Sequence, residues 1–289
     1  MDDGNKFEQL SKGVVDMGGE RVDAGTVFKA VEQLKNRFDV QRSAVERAMK
    51  SQVWMVDRQM FEQYTELYLE SMGLNLSENY KKVEVPTEIS EAMGVDMGKL
   101  NSEKEARLAE LRAHIRNNQG ITFPLESGGA LVLINKEDCE NVDMAVTHEL
   151  VHAMMEEKPG KYGEKENRIR GGFEGEGLNE VTVQLITLCS LQPERKVEAI
   201  LTDINKGKLK TPYRKQINEL GVLLWGTTLN KDINLHVSFD QVAKMYFDEE
   251  NPPGDKRWLL KMSIVRGLPE EASGIKDFRK NGEKIFDAL

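Results

Sequence analysis

Two histidines stand four residues apart in Thr147-His148-Glu149-Leu150-Val151-His152, with a glutamate directly after the first. An α-helix turns once every 3.6 residues, so His148 and His152 leave one face a turn apart and can meet a single divalent cation. Glu149 is offset by about 100° around the same helix. That offset puts its carboxylate beside the metal's open position instead of on the metal, where it can take a proton from a bound water. Leu150 and Val151 are apolar and free of proline, as a buried helix demands. The bland alternative is an amphipathic helix whose two histidines are simply partnered polar groups.

A catalytic zinc site takes three protein donors and a water, so a third ligand has to come from another element. Gly177-Leu178-Asn179-Glu180-Val181-Thr182 offers one. Asn179 reads as the N-cap of a helix whose run from Val181 to Leu191 is largely apolar, which leaves Glu180 as a charge near the core in need of a cation or solvent. Glu174 and Glu176 lie in the same stretch and compete for the role; Glu180 is preferred because a ligand on a rigid element holds its geometry better. Cys139 precedes His148 by nine residues, about 13 Å along continuous helix, too far to share its metal. Cys139 and Cys189 both read as small buried apolar residues.

Over roughly residues 130–191 the chain resembles the zincin metallopeptidases of the gluzincin type, in which H-E-x-x-H is followed by an Asn-Glu dipeptide whose glutamate completes the site. The resemblance implies Zn2+ held by His148, His152 and Glu180, Glu149 as general base, and a peptide or protein substrate. Many gluzincins carry an aspartate four residues beyond the ligand glutamate; here that position is Gln184, and the stretch between His152 and Glu180 is longer than in the best-known members. Peptide hydrolysis also needs a donor for the oxyanion. Tyr213, after Pro212 at the expected start of a helix from Arg214 to Leu224, is one candidate, and His236, in a short extended or loop stretch, is the other. Bacterial proteins with the Asn-Glu pattern commonly carry a tyrosine at the start of a later helix, a resemblance that favours Tyr213. The rival reading is a binding or regulatory module of the same fold that keeps zinc structurally and cuts nothing.

The elements that must position these groups are legible in outline. Gly128 to Asn135 reads as a strand, and Ile121 to Leu125 as its hairpin partner, with the edge strand beside the active helix as in zincins. The glycine-rich, charged stretch from Pro159 to Gly177 reads as a surface loop bordering the cleft. Upstream, Thr26 to Lys50 and Gln52 to Met72 read as helices, the stripe of Trp54, Met55, Met60 and Phe61 as core rather than a peptide groove, and Ser102 to Arg116 as a charged helix stopped by Asn117 to Gly120, with His114 on its surface. Downstream, helices are expected over Pro193 to Lys206, Tyr213 to Trp225, Ser238 to Phe247 with a capping box Ser238-x-x-Gln241, and Trp258 to Val265. The expected class is α+β, predominantly helical, with a small antiparallel sheet: an N-terminal helical region over residues 1–100 and a zincin-like catalytic region over 101–289.

Composition sets the outer bounds. The 289 residues carry a formal net charge of −9, which argues against a nucleic-acid or anionic-membrane partner. Two cysteines make no disulfide framework, the polar start holds no secretory core, and no apolar run approaches the roughly 20 residues needed to span a bilayer. A soluble, cytoplasmic protein is the expectation.

Overall fold

The computed structural model describes residue 14 and residues 18–71, 119–125, 129–155, 176–231, 235–247, 264–272 and 274–288. These residues form a mixed, mostly helical fold around a four-stranded sheet of order β1-β2-β4-β3. In chain order the elements are β1 (Glu20–Arg21), α1 (Ala24–Phe38), α2 (Arg42–Lys50), β2 (Gln52–Val56), α3 (Arg58–Ser71), β3 (Gly120–Leu125), β4 (Gly129–Asn135), α4 (Val142–Met155), α5 (Glu176–Ser190), α6 (Val197–Asn205), α7 (Arg214–Lys231), α8 (Leu235–Tyr246) and α9 (Phe278–Ala288).

β4 is the centre of the sheet and is buried on both faces, which explains its unbroken aliphatic sequence. Ala130, Val132 and Ile134 face the larger core with α1, α2, α4 and α5, while Leu131 and Leu133 face a smaller core with Met60, Phe61 and Tyr64 of α3. The expected hairpin is present: β3 and β4 pair antiparallel from Gly120↔Ile134 to Leu125↔Gly129. The sheet as a whole is not antiparallel, however, because β2 runs parallel to β4 from Gln52↔Leu131 to Val56↔Asn135. The sequence pattern predicts a helix from Gln52, where the structure has a strand. Val53 to Val56 is a contiguous apolar run with buried residues on both faces, and periodicity alone does not separate such a strand from helix. Trp54, Met60 and Phe61 are buried in the smaller core, so that stripe is packing. The sheet and the larger core both join residues from either side of position 100.

Several helix boundaries move. The helix expected from Thr26 to Lys50 is two, α1 and α2, divided where Asp39 adopts the left-handed conformation (φ 47°) and ends α1. α1 starts from Asp23, whose carboxylate accepts from the Thr26 amide. α5 begins at Glu176, so Asn179 lies within its first turn and is not the N-cap: burial of the apolar face outweighs the weak helix preference of Gly177 and Asn179. α8 begins at Leu235, so Ser238 caps nothing; it is buried, and its hydroxyl is 2.7 Å from that of Thr227 on α7. His236 therefore sits in the first turn of a helix and not in an extended stretch. Gly120 opens β3 rather than closing a helix. The expected helix from Ser102 to Arg116 with His114, most of the stretch from Pro159 to Gly177 with Glu174, and most of Trp258 to Val265 lie outside the described residues. No described helix is long and apolar enough to cross a membrane.

Candidate metal centre

α4 carries His148, Glu149 and His152 through the middle of the molecule. Asn141 caps it, its side-chain oxygen accepting from the Met144 amide, and Asp143 in the first turn complements the helix dipole. At the other end the Arg47 guanidinium donates to the Met154 carbonyl. Leu150, Val151 and Met154 are fully buried, so one side of α4 is locked into the core while the histidine face stays slightly open to solvent. α5 packs against α4, its Val181, Val183, Leu185 and Ile186 buried in the larger core, and brings Glu180 opposite the histidines.

The resulting cluster is compact. His148 Nε2 lies 3.3 Å from His152 Nε2 and 3.2 Å from Glu180 Oε2, and His152 Nε2 lies 3.3 Å from Glu180 Oε1. Ligands held at zinc bond lengths of 2.0–2.1 Å in a tetrahedron are separated by about 3.3–3.4 Å. The two ring nitrogens stand at the spacing of one edge of such a polyhedron, and each has a different oxygen of the Glu180 carboxylate at a similar distance. The group is the one His/Cys/Asp/Glu cluster among the described residues whose ligand atoms converge in this way.

The supports of these groups also fit a cation. Gln184, one turn beyond Glu180, accepts through Oε1 from His148 Nδ1–H at 2.9 Å, while its amide nitrogen faces the Met144 sulfur at 3.8 Å. With a cation bound, that bond would keep the proton on Nδ1 and leave the Nε2 lone pair to the metal. Gln184 thereby fills the orienting position for which the sequence offered no acid. Replacing it with leucine should lower zinc affinity by about 10- to 100-fold, read by competition with a chromogenic chelator. The Glu180 side chain is 30 % exposed; burial pushes its carboxyl up, but the charges and hydrogen bonds of His152 and His148 outweigh this and hold it well below the usual range. Burial has the upper hand at Glu149, which is 6 % exposed, and its carboxyl is raised despite the histidines and Thr122.

Glu149 meets the edge strand. The Thr122 hydroxyl lies 2.7 Å from Glu149 Oε2, and Gly120 comes so close that a Cβ there would stand 2.6 Å from Glu149 Oε1 and 2.7 Å from its Cγ. Gly120→Ala should therefore displace the carboxylate, retaining metal while reducing any hydrolytic turnover by about tenfold or more; unchanged turnover with bound metal would contradict this placement. Glycine in a strand is a signal of close backbone approach, so Gly120 was findable in principle. Tyr213, just ahead of α7, is also brought in: its hydroxyl donates to Glu180 Oε2 at 3.4 Å. Tyr246 on α8 is a residue that sequence reasoning missed; its hydroxyl is pushed well up by burial and by the charge of Glu180. No local pattern marks it, since it arrives through packing of α8. The His236 side chain lies outside the described set, and the Glu176 side chain likewise. Cys189 is buried, which pushes its thiol up to about 12, and Cys139 is half-buried beside the core; neither belongs to the cluster.

Comparison with protein-family models, with curated proteins and with solved structures finds no match. The reading of the site stands on its own chemistry.

Proposed function

We propose that the protein is a zinc-dependent metallopeptidase, with His148, His152 and Glu180 as zinc ligands and Glu149 as general base. The observation that carries this reading is the convergence of the three donors from two helices, together with a second, buried carboxylate, Glu149, beside His148 on α4. Bound zinc would supply Lewis acidity, polarising the scissile carbonyl and lowering the pKa of water. Glu149 takes the proton of the attacking water on a carboxylate oxygen and delivers it to the leaving amine. Tyr213, just ahead of α7 with its hydroxyl at Glu180, is the donor for the developing oxyanion. The edge of β3 beside Glu149 pairs with no other strand among the described residues, and an extended peptide can add to it through main-chain hydrogen bonds. The resemblance to gluzincins supports the same assignment from sequence.

The test is metal analysis of the full chain combined with cleavage of a diverse peptide library, with and without chelator. About one zinc per chain and chelator-sensitive cleavage are expected. Stoichiometric zinc without any cleavage would instead make the protein a zinc-holding binding module, and absence of zinc affinity would end both readings.

A further inference from the structure

We infer that Thr122 is the positioning residue of Glu149: a side chain on the edge strand that holds the carboxylate in place throughout a turnover. The inference rests on the peptidase reading for its function, but its structural part stands on contacts that involve neither metal nor substrate.

Thr122 and Gly120 are two residues apart on β3 and therefore share a face. That face meets Glu149, with one residue gripping and the other making room. The Thr122 Oγ1 lies 2.7 Å from Glu149 Oε2 and 3.0 Å from the Glu149 main-chain oxygen. A hydroxyl carries one proton and two lone pairs. With the carboxylate charged, the proton goes to Oε2. When Glu149 takes the proton of the attacking water on the oxygen that Thr122 does not hold, Oε2 stays an acceptor and the Thr122 hydroxyl keeps donating to it. No bond is exchanged at Thr122, and the proton on Glu149 remains available to the leaving amine. The Glu149 main-chain oxygen, 3.0 Å from the same hydroxyl, ties Oγ1 to the helix backbone as well as to the carboxylate. Placement on a sheet strand, with Phe123 fully buried beside it, keeps the grip rigid.

The test uses Thr122→Val, which keeps the shape and removes the hydroxyl, and Thr122→Ser, which keeps the hydroxyl. Thr122→Val should retain the zinc content of the wild type and its KM within about twofold, while kcat for a chelator-sensitive library peptide falls by about 10- to 100-fold. Thr122→Ser should recover most of the loss. Crystal structures of the metal-free variants supply a readout independent of activity: the Glu149 carboxylate leaves its place beside Gly120 in the valine variant and stays there in the serine variant. An unmoved carboxylate in Thr122→Val overturns the inference whatever the activity does, as does undiminished kcat. A wild type that cleaves nothing would sink the peptidase reading instead, and the crystallographic comparison would still decide whether Thr122 holds Glu149.

Discussion

Glu149→Gln is expected to reduce chelator-sensitive peptide cleavage by about 10²- to 10⁴-fold while the zinc content stays at the wild-type level. The amide has the shape of the acid and offers an oxygen to the Thr122 hydroxyl, so the hydrogen bond at 2.7 Å has a replacement. It cannot accept a proton at neutral pH. Folding should not suffer, because burial already disfavours the charged form of Glu149 and the substitution removes a desolvated ionisable group. Turnover measured beside metal content tests the two proposed roles on α4 separately: holding for the histidines, proton transfer for the glutamate. Full activity in this variant would exclude Glu149 as the base.

The second large effect is on metal itself. Glu180→Ala should leave the purified chain with little zinc and no chelator-sensitive cleavage, and His148→Ala should do the same. With the carboxylate gone, the two imidazoles remain at 3.3 Å, but they form only one edge of a tetrahedral site. Thermal unfolding offers a cross-check, since a ligand bound only by the folded state stabilises it. Chelator should lower the Tm of the wild type and leave that of Glu180→Ala unmoved. Zinc retained by the glutamate variant but lost by the histidine variant would return Glu174 or Glu176 to consideration.

How far the sequence could be read depended on where the decisive forces act. The helix that carries both histidines, the hairpin of β3 with β4, and the convergence of Glu180 on the histidines were all visible, because each follows from short-range spacing or from a single pair of elements. β2 was misread because a strand buried on both faces has lost the alternation that marks strands. The start of α5 was misplaced because local cap signals yielded to packing along its apolar face. Gln184 was noticed as a departure from the gluzincin pattern, but its service to His148 needed the geometry, and Tyr246 needed the whole helical layer.

The parallel ladder between β2 and β4 has a consequence for how the protein comes into being. Its partners, such as Gln52 and Leu131, are far apart along the chain, so a ribosome exposes the first strand well before it has made the second. Closing so long a loop loses entropy before any contact rewards it, and non-local pairings of this kind slow folding. β3 reaches its place through β4, and α4 lies against both. The grip on Glu149, by contrast, joins residues only 27 apart and needs β3 and α4 alone, so it belongs to a local unit that does not wait for the distant strand.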